Sequence, residues 1–187
     1  MRIAGLSAAI AGAAIVAAVS TLGDFIWATW IPRHRAIYGL THGTILFLAI
    51  GLFLGVVARR PAPGALGGAV VGFLAAGSFY VIAPIAGYSS MFVSWFAMWI
   101  ALGVLYASLA GLRLTVRTAL GRGVLAAIGS AAAFYMVSGI WMPFDPEGLD
   151  YLWHLAAWTI AYLPDFAALL VGRASPARRP APALSGT

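Results

Sequence analysis

Ionisable side chains are scarce in this chain and unevenly placed. Only 9% of its 187 residues are Asp, Glu, Lys or Arg, yet Asp24, Arg33, His34, Arg35 and His42 share one stretch, DFIWATWIPRHRAIYGLTH. Carboxylate, imidazole and guanidinium together can orient a polar ligand, move a proton or hold an anion. Asp24 precedes Arg33 by as many residues as His42 follows it. An antiparallel helix pair turning at Arg33 therefore sets both at one depth, roughly 10 Å below a membrane surface at ~1.5 Å per residue. Ionisable groups inside a bilayer normally pair or face a cavity. The expectation is an Asp24–His42 pair under a lid of Arg33 and Arg35.

Two helix faces extend the cluster. Arg35, Tyr38 and His42 are spaced i, i+3, i+7, and Asp150, His154 and Trp158 by fours, so each set shares a face. With Trp27 and Trp30, these residues would let the first, second and sixth helices enclose an outward-facing pocket with an aromatic floor. Such pockets take small ligands. Plainer uses exist for the same residues. Arg33, His34 and Arg35 suit a solvated turn, and Asp150 complements a helix N-terminus. Trp27, Trp30, Trp141 and Trp153 suit an interfacial aromatic belt. Asp165, directly after Pro164, points the same way as His154 about three turns earlier. A His154-to-Asp165 track could carry protons or bind a cation. Equally, the carboxylate could bond backbone donors or brace an inner-face arginine.

Much chemistry is excluded. There is no cysteine, hence no disulfide, thiolate metal site or Cys nucleophile. All eleven basic residues other than His are Arg, which removes Schiff-base chemistry and a phosphate-binding P-loop lysine. The three histidines form no HExxH or other close pair, so no metal is expected, nor any cofactor. Haem would need His42 and His154 to face each other as axial ligands. No Gly-x-Ser-x-Gly elbow, selectivity filter or arginine ladder is present.

The elements that must position these residues are apolar and long. The chain is 63% hydrophobic with mean hydropathy +0.96, and its charged fraction compares with roughly 25% in soluble domains. This composition specifies an all-α integral membrane protein, a six-helix bundle with short loops. Spans are expected at 3–31, 36–58, 64–85, 89–112, 123–142 and 150–171, forming one domain over 1–173. A disordered cytoplasmic tail is expected over 174–187. The start also resembles a secretory signal ending at Ala18-Val19-Ser20, but apolarity continues through Phe25–Trp30, so retention as a span is expected.

Arginine placement orients the bundle. Arg2, Arg59, Arg60, Arg113, Arg117, Arg122, Arg173, Arg178 and Arg179 fall on one side, and only Arg33 and Arg35 on the other. The positive-inside rule then puts both termini in the cytoplasm of a bacterial inner membrane. The net charge of +6 follows from this placement, and no nucleic-acid partner is expected. Small residues mark packing faces: Gly51 and Gly55; Gly64, Gly68 and Gly72; Gly103, Ala107 and Gly111; Ala4, Ala8 and Gly12. They allow close helix approach within one chain or in a homo-oligomer.

The order and length of spans, Ser138-Gly139-Ile140-Trp141, the Pro/Asp loop and the final Gly172-Arg173 together resemble the Insig family. That resemblance implies six helices, cytoplasmic termini and binding of sterol or diacylglycerol-type lipid. The family's Trp-Trp and Asp-Arg-Ser-Arg stretch after the fourth span is missing; Leu112-Arg113-Leu114-Thr115-Val116-Arg117 stands there. No site residue is carried over.

The leading expectation is a binding or sensing protein for a small amphipathic, lipid-like ligand. Arg33 and Arg35 would hold an anionic head group, Asp24 and His42 would orient polar atoms, and Trp27, Trp30 and Trp158 would line the apolar part. Tyr38 and His154 complete the set. The alternatives are a transporter with a proton path through Asp24, His154 and Asp165, a membrane-embedded enzyme with an Asp24/His42 acid–base pair, and a scaffold without a site. A non-enzymatic role is favoured.

Overall fold

Residues 2–30, 35–111, 116–141 and 146–171 are described by the structure, a computed structural model. Among them there is no strand. Six helices follow in order: α1 (Arg2–Trp30), α2 (Arg35–Val57), α3 (Pro61–Ala86), α4 (Ser90–Leu109), α5 (Val116–Trp141) and α6 (Asp150–Leu170), with a short 3-10 turn at Gly87–Ser89. Helices satisfy every backbone group internally, which a chain this apolar requires in lipid.

Several boundaries differ from those expected. α3 starts at Pro61, because proline suits the first helical position, where no N–H is needed. α4 ends at Leu109, and Gly111 follows with φ +58°, a left-handed conformation that closes helices. α5 begins at Val116, so Arg117 and Arg122 lie in its first turns and not in a loop. α1 runs unbroken through Gly23. The expected tail, 174–187, lies outside the described residues.

Five helices contain segments long and apolar enough to cross a membrane: Ile3–Ile26, Ala36–Val57, Pro61–Ala86, Ser90–Leu109 and Val116–Val137. Their outer faces carry exposed large apolar side chains, densest on α3 with Leu66, Val70, Phe73, Leu74 and Val81. In a protein meant for water such a surface would aggregate; in lipid it is the solvated face. α6 has the length but not the hydropathy, because His154, Trp158, Tyr162 and Asp165 occupy one of its faces.

The helices form a ring in chain order, closed by α6 packing on α1. Its centre is filled by Val16, Ile50, Leu54, Trp99, Leu102, Tyr106, Phe166 and Leu169. Glycine sets the α2–α3 contact. A Cβ on Gly51 would lie 2.2 Å from the Gly64 carbonyl oxygen, one on Gly64 2.3 Å from that of Gly51, and one on Gly68 2.1 Å from that of Phe47. Gly103 and Gly123 join α4 to α5 in the same way. These glycines are therefore used inside one chain.

Candidate functional site

The site is built around two neighbouring residues of α1, Gly23 and Asp24. α1 and α6 run antiparallel: Gly5 lies beside Leu170, Gly12 beside Phe166, and Ser20 bonds Tyr162. That register carries Asp24 to the outer turns of α6. There Asp24 Oδ2 lies 2.9 Å from His154 Nδ1 and accepts a 2.7 Å hydrogen bond from Trp158 Nε1. His154 is buried and Asp24 is partly exposed, at 28%. One turn deeper, the Ser20 and Tyr162 hydroxyls are 2.8 Å apart. Two polar rungs thus tie α1 to α6.

The expected Asp24–His42 pair does not form. His42 is near enough to feel the charge of Asp24, but its ring stacks on Tyr38, 5.5 Å centroid to centroid and 4° from parallel. Both rings sit against Gly23. The Tyr38 hydroxyl donates to the Gly23 carbonyl, and a Cβ on Gly23 would lie 2.0 Å from His42 Cε1. α2 therefore uses Tyr38 and His42 to pack on the α1 backbone, while α6 takes the carboxylate. The reason is rotational: α2 turns its glycine face to α3, and that choice fixes where His42 points.

Gly23→Ala consequently drives the His42 ring off α1. We expect a loss of about 1–2 kcal/mol, the range for overpacking against a movable side chain. A melting temperature equal to wild type would show that the ring swings aside freely.

The structure thus gathers five of the sequence-derived candidates, Asp24, Tyr38, His42, His154 and Trp158, around Gly23–Asp24. Asp150 stays out, its carboxylate accepting from the Glu147 backbone N–H at 3.1 Å. Arg33 lies outside the described residues, and so do the side chains of Trp27, Trp30 and Arg35. Asp165 is fully buried on the same face of α6 as His154 and Trp158. Among the described residues neither backbone donors nor an arginine reach its carboxylate, and both oxygens lack a hydrogen-bond partner.

The expected pocket between α1, α2 and α6 rests on Trp27, Trp30, Arg33 and Arg35, whose side chains lie outside the described residues. Among the described residues a cleft opens beside this cluster between α4, α5 and α6. Met91, Phe92, Trp95, Ala131, Phe134 and Trp158 line it. Its wall continues inward as an aromatic stack: Phe134 on Trp158 (5.1 Å), Trp158 on Tyr162 (5.6 Å), and Tyr162 on Trp95 (6.3 Å). Trp95 Nε1 is buried without an acceptor.

Sequence reasoning missed Trp95, Phe134 and Tyr162. Tyr162 was within reach, since it continues the i, i+4 series of His154 and Trp158. Trp95 and Phe134 carried no signal, because aromatic residues on apolar helices read as core or belt.

Fold and site define a helical protein built for a membrane, with a polar cluster beside an aromatic cleft. No family model, curated protein or solved structure matches the chain.

Proposed function

We propose that this protein spans a bacterial inner membrane six times and binds a small amphipathic, lipid-like ligand from the outer leaflet. One observation carries the reading: Trp158 lines the apolar cleft with its ring while its Nε1 donates to Asp24. A ligand whose apolar portion enters the cleft has a polar cluster within one residue's width. Arg33 and Arg35, nearby in sequence, would meet an anionic head group. The acceptor missing at Trp95 Nε1 is a bond that an ester or ether oxygen would supply.

Two arguments support the sixth span. α6 has 21 residues, about 31 Å of helix at ~1.5 Å per residue, enough to cross. Its polar residues His154, Tyr162 and Asp165 are buried, so lipid need not solvate them. An even number of spans then keeps both termini on the arginine-rich, cytoplasmic side. With the α2–α3 and α4–α5 glycines engaged internally, a homo-oligomer would form through the outer apolar faces.

Native mass spectrometry of protein released from phospholipid nanodiscs tests the ligand reading. Wild type should retain one lipid-sized mass. Ala131→Phe, which fills the cleft without replacing any residue that bonds Asp24, should lose it at least tenfold. Equal retention by the two proteins would rule the cleft out.

A further inference from the structure

Asp165 stands apart from everything the ligand cleft uses. It has no exposed surface, and neither carboxylate oxygen has a hydrogen-bond partner. Register fixes its depth. Tyr162 faces Ser20 and Phe166 faces Gly12, so Asp165 lies level with the middle of α1, near the middle of the bundle. Ser130 on α5, also fully buried, brings its hydroxyl beside it. Ser130 Oγ is within reach but makes no hydrogen bond of good geometry, so it too lacks a partner. The residues just before this pair bring the helices together: a Cβ on Gly129 would lie 2.9 Å from Pro164 Cβ.

Among the described residues, no positive charge faces the carboxylate. On α6, His154 is engaged with Asp24 and Tyr162 with Ser20. From α5, Arg122 reaches past the site to the Leu169 carbonyl at 3.3 Å. α4 contributes buried Tyr106, and of the ionisable residues of α1 Asp24 lies two turns outward while Arg2 stands at the helix start. An ionised carboxylate this deep, with no counter-charge, is more than a marginally stable fold can carry. Something positive must neutralise it. A divalent ion asks for several carboxylates, and no group of three metal-binding side chains exists among the described residues.

We propose that Asp165 and Ser130 form a buried site for one monovalent cation, a proton or a sodium ion, in the contact between α5 and α6. The carboxylate supplies the charge and Ser130 Oγ a neutral oxygen. With a proton, the acid donates to Ser130 Oγ; with sodium, both residues coordinate. The site does not depend on the lipid reading, because its residues lie outside the cleft.

Thermal unfolding in detergent, from mildly acid to mildly alkaline pH, in sodium chloride or choline chloride, tests this. The native state holds the cation and the unfolded chain releases it, so in choline stability falls as pH rises, by about one proton per molecule. If sodium is the ligand, adding it at alkaline pH restores the melting temperature; if only a proton binds, sodium has no effect. Asp165→Asn should remove this dependence in either case. Superimposable pH and sodium profiles for wild type and Asp165→Asn would overturn the proposal. Should the variant not fold, carbodiimide labelling of wild type, which requires the protonated acid, replaces it. Modification of Asp165 that slows with rising pH or added sodium supports the site; no modification under any condition overturns it.

Discussion

Gly68→Val leaves little correctly folded protein. The added Cβ meets the Phe47 carbonyl oxygen at 2.1 Å and Gly51 Cα at 2.8 Å, both backbone atoms of α2 that no rotamer change can move. Valine's two further methyl groups deepen the clash, so α2 and α3 must separate along their shared face. The expected destabilisation is about 3 kcal/mol, the upper end for overpacking. For a chain of this length that lowers the melting temperature by about 10 °C. Gly121→Ala is the matched control, because a Cβ there meets nothing within 4 Å. The two variants, compared by size-exclusion and thermal melting in one detergent, should behave as an aggregating protein and a wild-type-like one. A Gly68→Val protein melting with wild type would mean that the α2–α3 contact is looser than its glycines require.

The second large effect is at Asp24. Asp24→Ala removes the one acceptor shared by Trp158 Nε1 and His154 Nδ1. Leaving such part-buried donors without this acceptor costs about 1–3 kcal/mol each, so a loss of about 2–4 kcal/mol is expected. Retained lipid should fall as well, since Trp158 loses the bond that holds its ring against the cleft. His42→Ala separates this arrangement from the one the sequence suggested. If His42 were the partner of Asp24, the two variants would be equally damaging. With Asp24 engaged by α6, His42→Ala should cost much less and leave the lipid bound. Equal losses in the two proteins would return the pair to Asp24 and His42.

The class of the protein was legible because crossing a membrane is a local property. About 20 apolar residues suffice, whatever surrounds them, and runs such as Ala36–Val57 and Ser90–Leu109 announce themselves. Helix stops were legible where glycine or proline stands, as at Pro61 and Gly111. The start of α5 was misread because Arg117 and Arg122 suggested a loop, whereas arginine is a good helix former whose long side chain reaches out of the apolar zone.

The sequence by itself also identified most residues of the polar cluster, because a carboxylate or imidazole in so apolar a chain cannot be idle without cost. It placed His154, Trp158 and Asp165 on one face of α6 through helical periodicity. Only the tertiary structure decided who meets whom. Asp24 and His42 are close in sequence and level in depth, which made them the natural pair. Depth, however, leaves the rotation of each helix free. Glycine contacts on α2 turn its small face to α3, and closure of the ring brings α6, from the far end of the chain, against α1. Those two packing choices gave Asp24 to His154 and Trp158, opened the cleft between α4, α5 and α6, and set Asp165 beside Ser130.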